Sequence, residues 1–285
     1  MTLKFLPITK EGGHIIQNLT LNAAFSKATL ETAQGLRIID DALFRLIAEK
    51  PNVCQEILRT LLAMPKLTVL EVHAQQLIKS LHREITLDAL CRLADGSYAN
   101  IEMQKSDGND DIARTRFHAS AITAQRTPKG TVFKDVPNVT ILYITEYDAL
   151  GNNQTITHVS RCMKVGNDYI PLNDGEDIIF ANTFVNDGSD KAELLQLMLR
   201  KESFYNEKFP AISSAIKYFK DTEGSRKEMR KSVEILGEYY AKEQRTKDIQ
   251  KLLFSGKTAT QIADFCGYDL TEVEEAEKAL LATAE

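Results

Sequence analysis

Apolar residues recur along this chain at two periods, and the switches between them outline its organisation. A helical pattern begins at Asp40, with Leu43, Leu46 and Ile47 on one face. Pro51, whose missing N–H costs nothing in a first turn, opens a second helix through Ile57, Leu58, Leu61 and Leu62. β-prone runs follow at Leu67–Val72, Glu84–Leu93 and Tyr98–Gln104. An Ala-rich helix is expected over Ile112–Gln125, ended by Thr127-Pro128-Lys129-Gly130, and Val139–Thr145 reads as a buried strand. Strand signals continue over Thr155–Val165 and Ile178–Val185, separated by turn residues at Gly151-Asn152-Asn153 and Asn173-Asp174-Gly175. From about Asp190 the pattern is helical throughout: Ala192–Leu199, Ala211–Phe219, Lys227–Tyr240, Thr246–Phe254, then two short helices split by Gly267. Helices, then strands with one interposed helix, then helices again predict an α/β or α+β core followed by a helical region. The expected divisions are an N-terminal arm over 1–35, the core over 36–189 and a helical C-terminal region over 190–285 that ends like a helix-turn-helix.

The most informative stretch is Glu84–Gln104. Alternation sets Ile85, Leu87, Ala89, Cys91 and Leu93 on one face of the first strand, and Thr86, Asp88, Leu90 and Arg92 on the other. In the next strand Ala99, Ile101 and Met103 oppose Tyr98, Asn100, Glu102 and Gln104. A hairpin keeps its apolar faces together only if opposed residue numbers add to an even total. The three-residue loop Ala94-Asp95-Gly96 meets that condition and puts Gly96 where the turn needs a left-handed backbone. Asp88 then faces Glu102, Leu87 faces Met103 and Thr86 faces Gln104, with Cβ atoms roughly 5 Å apart. Two like charges so placed need neutralising, either by a nearby base such as Arg92 or by a divalent cation, for which Mg²⁺ takes one or two carboxylates.

Composition narrows the setting. Of 285 residues, 43% are hydrophobic and 26% charged, ordinary values for a chain that builds a core. The net charge of −5 does not mark the whole chain as a nucleic-acid binder. Within Arg200–Lys257, however, 14 Lys or Arg stand against 9 Asp or Glu, as suits a polyanion. No secretory signal or membrane-length apolar run is visible, so a soluble, cytoplasmic protein without a membrane partner is expected. Cys54, Cys91, Cys162 and Cys266 are scattered among apolar neighbours and read as reduced core residues.

Asp88, followed fourteen residues later by Glu102-Met103-Gln104, resembles the PD-(D/E)XK nuclease superfamily. More narrowly, Leu87-Asp88-Ala89-Leu90, Asp95-Gly96, Asn100-Ile101-Glu102-Met103-Gln104 and a following helix with Arg114 and Arg116 resemble its family of transposases and recombination-promoting nucleases. Asp41-Ala42-Leu43-Phe44 is similar to the D-x-x-F that opens that family's first helix. Leu87 stands where the superfamily has proline, and Gln104 where it has lysine; Lys105, by strand parity, points to the other face.

The resemblance implies a restriction-endonuclease-like core with a mixed central sheet flanked by helices, plus a C-terminal helical region. It implies Asp88 and Glu102 as ligands of Mg²⁺ or Mn²⁺, Gln104 as the residue orienting water or a phosphate oxygen, and Asp41 as a further acidic group. Arg114 or Arg116 would meet the substrate phosphate. An ordinary helix-start acid and plain surface arginines would look the same. The implied activity is metal-dependent hydrolysis of DNA phosphodiester bonds, in transposition or recombination, with a homodimer if both strands are cut. A catalytically inactive DNA- or protein-binding relative, or a gated effector in phage defence, shares the same residues. The last helix carries Glu272, Glu274, Glu275 and Glu277 against Lys278, which phosphates would repel, so capping or protein contact is expected of it.

Overall fold

The computed structural model describes residues 34–79, 84–106 and 108–282, so nearly all of the arm expected over 1–35 lies outside the described residues. Helices α1 (Asp41–Ala48) and α2 (Pro51–Leu61) lead into strands β1 (Val69–Lys79), β2 (Glu84–Leu93) and β3 (Tyr98–Gln104). Helix α3 (Asp111–Arg126) crosses to β4 (Val139–Thr145), and β5 (Ile156–Val159), β6 (Cys162–Val165), β7 (Asp168–Pro171) and β8 (Glu176–Asn182) complete the strands. Helices α4 (Asp190–Leu197), α5 (Pro210–Asp221), α6 (Glu223–Phe254), α7 (Ala259–Cys266) and α8 (Leu270–Ala282) follow.

Six strands form one mixed sheet in the order β1-β2-β3-β4-β8-β5, antiparallel except for the parallel pairs β3/β4 and β4/β8. The architecture is α+β, with helices on both faces of the central sheet and a helical C-terminal part, consistent with a restriction-endonuclease-like fold. On one face Ala89, Cys91, Ala99, Ile101, Leu142 and Ile179 pack against α1, α2, α4 and α5. On the other, Leu90, Ile141, Tyr143 and Phe180 pack against Ala119 and Ile122 of α3. Being covered on both sides, β4 is apolar over most of its length and β8 through Ile178–Ala181, the composition of buried parallel strands.

The first face does not end at Asp190. Leu194, Leu195, Ile212, Ile216, Phe219 and Met229 all enter the cluster built on α1 and α2. The Glu56 carboxylate on α2 accepts the Ala211 and Ile212 N–H groups at 3.0 and 2.8 Å, capping the first turn of α5 after Pro210. A separate, smaller cluster of Ile249, Ile262, Val273 and Ala276 joins the end of α6 to α7 and α8.

Several boundaries differ from the periodicity. The run expected over Leu67–Val72 extends as β1 to Lys79, because β2 pairs with it that far and carries the polar residues Glu71, His73, Gln75 and Gln76. Thr155–Val165 divides between β5, in the main sheet, and β6, which pairs only with β7 in an exposed hairpin. The helices expected over Lys227–Tyr240 and Thr246–Phe254 are one helix, since Ala241-Lys242-Glu243-Gln244-Arg245 between them favours helix at every position. Of the four cysteines only Cys54 and Cys91 are core residues; Cys162 is exposed on the β6/β7 hairpin and Cys266 partly so. All four are free thiols.

Candidate active site

The β2/β3 turn forms as its residues require. Gly96 has φ +89°, its N–H reaches the Leu93 carbonyl at 3.1 Å, and Leu93 donates to Ser97 at 2.9 Å. Asp95 accepts from the Ser97 N–H and hydroxyl at 3.0 and 2.6 Å, which holds its carboxyl below the usual range. Ala89 opposes Ile101, Cys91 opposes Ala99 and Arg92 opposes Tyr98, the register expected from parity.

The β2/β3 ladder stops at Ala89 and Ile101, where the two acidic residues come in. Asp88 Oδ2 accepts the backbone N–H of Met103 at 2.8 Å, and the Asp88 N–H points to Glu102 Oε1 at 3.4 Å. The Asp88 carboxylate thus takes the place that the Leu87 carbonyl would hold in a continued ladder. Gln75, across from Asp88 on β1, has φ +53°, unusual for a residue with a side chain, and its amide reaches Asp88 Oδ1 at 3.5 Å. The face alternation breaks at the same point. Ile85 and Leu87 join the second cluster while Ala89, Cys91 and Met103 stay in the first, so Leu87 does not share a face with Met103 as expected.

Asp88 and Glu102 come together. Burial first, and then the charge on Glu102, push the Asp88 carboxyl well above its ordinary range; Asp41 adds to the rise and the Met103 N–H opposes it. Asp41, half-buried at the start of α1, is raised by its own burial and by Asp40 and Glu102, against the pull of Lys105. The α1 start is placed by Arg37, whose guanidinium forms a two-armed pair with Glu146 beyond β4 and whose N–H meets Asp40 Oδ2 at 2.6 Å.

Asn100 donates to Glu102 Oε1 at 2.6 Å, and His118 on α3 lies with Nδ1 3.4 Å from the same oxygen. Neither residue stood out in the sequence as a site candidate. The signal for His118 is periodic: Asp111, Thr115, His118 and Ile122 form the buried stripe of α3. Asp111 Oδ1 accepts the Tyr143 and Tyr147 hydroxyls, each at 2.8 Å, and fixes the helix start to β4 and its exit. Arg114, half-buried, pairs with Asp110 at 3.0 Å; burial works against its charge, and Tyr143, Asp110 and Glu102 outweigh it. Arg116 is exposed and stands apart from that stripe.

Gln104 points its amide at the Ser106 carbonyl, 2.8 Å away, and is not brought onto Asp88 or Glu102 by any hydrogen bond among the described residues. Lys105 follows the end of β3, so strand parity does not govern it; its ammonium folds back to Asp40 Oδ1 at 2.6 Å. That contact and Arg37 overcome burial and hold Asp40 below the usual carboxyl range.

The donors are hard carboxylate oxygens whose burial and proximity make their joint ionisation costly, the chemistry that Mg²⁺ or Mn²⁺ relieves. Among the described residues no group of three or more His, Cys, Asp or Glu side chains is arranged to hold a metal ion. Two carboxylates alone would suit a cation that keeps most of its water, as Mg²⁺ does. Among the described residues no helix is long and apolar enough to cross a membrane.

Residues 48–183, from the end of α1 to just past β8, match the family described as PD-(D/E)XK nuclease family transposase. The match includes Asp88, Glu102, Gln104, Arg114 and Arg116 and leaves Asp41 outside. No curated protein and no solved structure matches the chain.

Proposed function

From a nuclease-family segment spanning 48–183, we propose that the protein is a metal-dependent endonuclease that hydrolyses DNA phosphodiester bonds. The observation that carries the reading is the interruption of β2/β3 at Asp88 and Glu102, where the Asp88 carboxylate replaces a ladder partner and the two acids face one another's charge. A sheet built for stability would put apolar or oppositely charged residues there.

Asp88 and Glu102 would hold Mg²⁺ or Mn²⁺, which when bound supplies an acidified water and offsets charge on the phosphate. Asn100 fixes Glu102 by one oxygen. Asp41 adds negative charge without closing a three-ligand cage, a role that tightens cation binding through the field. Arg114, beside Glu102 on α3, presents a cation to the substrate phosphate; exposed Arg116 serves the flanking backbone. Gln104 shapes the turn leaving β3 by donating one amide N–H to the Ser106 carbonyl, which leaves its second N–H for a phosphate oxygen and its amide oxygen to accept from water. The substrate is DNA and the setting transposition or recombination, on the strength of the family alone.

Purified protein incubated with supercoiled plasmid and Mg²⁺ or Mn²⁺ should nick it, and Asp88→Ala and Glu102→Ala should each reduce nicking by at least about a hundredfold. Nicking that survives both substitutions, or none with either metal, would leave a DNA- or protein-binding module as the reading.

A further inference from the structure

Glu102 is held from several sides by one oxygen, and the least expected neighbour there is a histidine. Oε1 receives Asn100 Nδ2 at 2.6 Å, faces the Asp88 N–H at 3.4 Å and lies 3.4 Å from His118 Nδ1. His118 is 5% exposed, and its Nδ1 has no hydrogen bond among the described residues. The place is otherwise an ordinary helix–sheet contact: Ala119 and Ile122 on the same helix fill it with hydrocarbon. An imidazole nitrogen left unpaired there costs more than a leucine would, and the acceptor within reach of it is Glu102 Oε1.

We infer that His118 is a positioning residue: its Nδ1–H donates to Glu102 Oε1 and, with Asn100, anchors that oxygen so that Oε2 is offered to a divalent cation. This rests on the nuclease reading of Asp88 and Glu102 and adds to it a residue reaching the carboxylate from α3. The observed 3.4 Å is a few tenths of an ångström beyond an ordinary N–H···O bond, a gap that a small movement of the Glu102 side chain closes. Contacts of this kind commonly tighten when a site fills. The helix is placed to hold the ring, because Asp111, two turns before it, is locked by two tyrosine hydroxyls to β4 and the segment after it. Glu102 itself lies next to Tyr143 in the parallel β3/β4 register, so helix and carboxylate are referenced to one strand.

The inference is tested on the full chain with Mn²⁺ binding measured by calorimetry in the absence of DNA. His118→Leu, which keeps the volume and removes the donor, should weaken Mn²⁺ binding by about 10- to 100-fold, the usual effect of losing a hydrogen bond to a metal ligand. His118→Asn, whose amide N–H can occupy the place of Nδ1–H, should recover binding to within roughly threefold of the parent. Folded His118→Leu that binds Mn²⁺ as tightly as the parent, or His118→Asn no better than His118→Leu, overturns the inference. Should His118→Leu not fold, ¹⁵N spectra of the metal-free parent decide. An Nδ1–H tautomer whose signal moves in Glu102→Gln supports the hydrogen bond, and an Nε2–H tautomer indifferent to that change overturns it. Failure of the nuclease reading looks different. In that case Asp88→Ala and Glu102→Ala also leave Mn²⁺ binding unchanged, whatever the spectra say of His118.

Discussion

Asp88 sits under opposing demands: Met103 gives it a backbone hydrogen bond, while burial and the charge on Glu102 disfavour its ionised form. In the metal-free protein its raised pKa means the native chain keeps a proton that the unfolded chain has already released above about pH 3.9. Native binding of the extra proton makes stability fall as pH rises through the window between those two values, and it stays lower above them. Asp88→Asn keeps an oxygen for the Met103 N–H and removes the charge. It should therefore raise the melting temperature of the metal-free protein at pH 7–8 by about 2–4 °C, or about 1 kcal/mol, with the gain fading toward pH 4. Mn²⁺ should raise the melting temperature of the parent and not of Asp88→Asn. A variant no more stable than the parent at pH 8 would mean that the carboxylate is compensated by the protein itself. At this scale the approach of Asp88 to Glu102 was legible from the turn length and the register it sets as far as Ala89 and Ile101, because both depend only on local geometry. Asn100 and His118 were not, since their meaning depends on what lies across the sheet and on α3, a contact no periodicity specifies.

The β2/β3 hairpin shows how one turn sets the register of the carboxylates. Gly96 is at φ +89° with open space around the position of a Cβ, so a side chain there meets no clash and only the backbone conformation resists. Gly96→Val should cost about 1–2 kcal/mol, the penalty of a left-handed backbone for a branched residue. Thermal melting should register it as a loss of about 2–8 °C, and Mn²⁺ affinity should fall with it if the turn helps align Asp88 with Glu102. An unchanged melt would show that the register is set elsewhere, by β1 and β4. The strands whose two faces differ, β2 and β3, were readable to the residue at their ends, as was β4 with its continuous apolar run. The hydrophobic pattern stops short on β1 and gives no sign of β7 or of the division between β5 and β6, because these strands are held by their partners more than by their own periodicity. The bend at Gln75 and Asp88, which sends Leu87 and Met103 to different clusters, had no signal at all: strict alternation assumes an unbroken ladder.

Across the whole molecule, charge and hydrophobic clusters are distributed so that two bodies of packing share one helix. α6 begins in the main core with Met229 and with Ser232, whose hydroxyl meets the Ala42 carbonyl at 3.0 Å. It ends at Ile249 in the small cluster with α7 and α8. Between those ends Glu234, Glu238, Lys242, Gln244 and Arg245 are exposed. The acidic α8 is held to this helix in part by charge, with Arg245 reaching Glu272 at 3.3 Å, so some of the basic count over Arg200–Lys257 is spent inside the protein. The net charge of −5 averages over that arrangement and says little about a polyanionic partner. Because Ile249, Ile262, Val273 and Ala276 form a cluster apart from both faces of the sheet, it should open without the rest. Ile262 is fully buried, and Ile262→Asp places a carboxylate among hydrocarbon at a cost of several kcal/mol, more than so small a cluster can offset. Limited proteolysis should then cut within α7 and α8 at protease levels that spare the parent. The main melting transition should shift by less than about 2 °C, since none of its contacts is touched. Mn²⁺ binding should persist, because Asp88 and Glu102 lie in the sheet and within the segment matched to the nuclease family. A fall of the main transition together with Mn²⁺ binding would show instead that α6 transmits the terminal cluster to α1, and through Asp41 to the carboxylates.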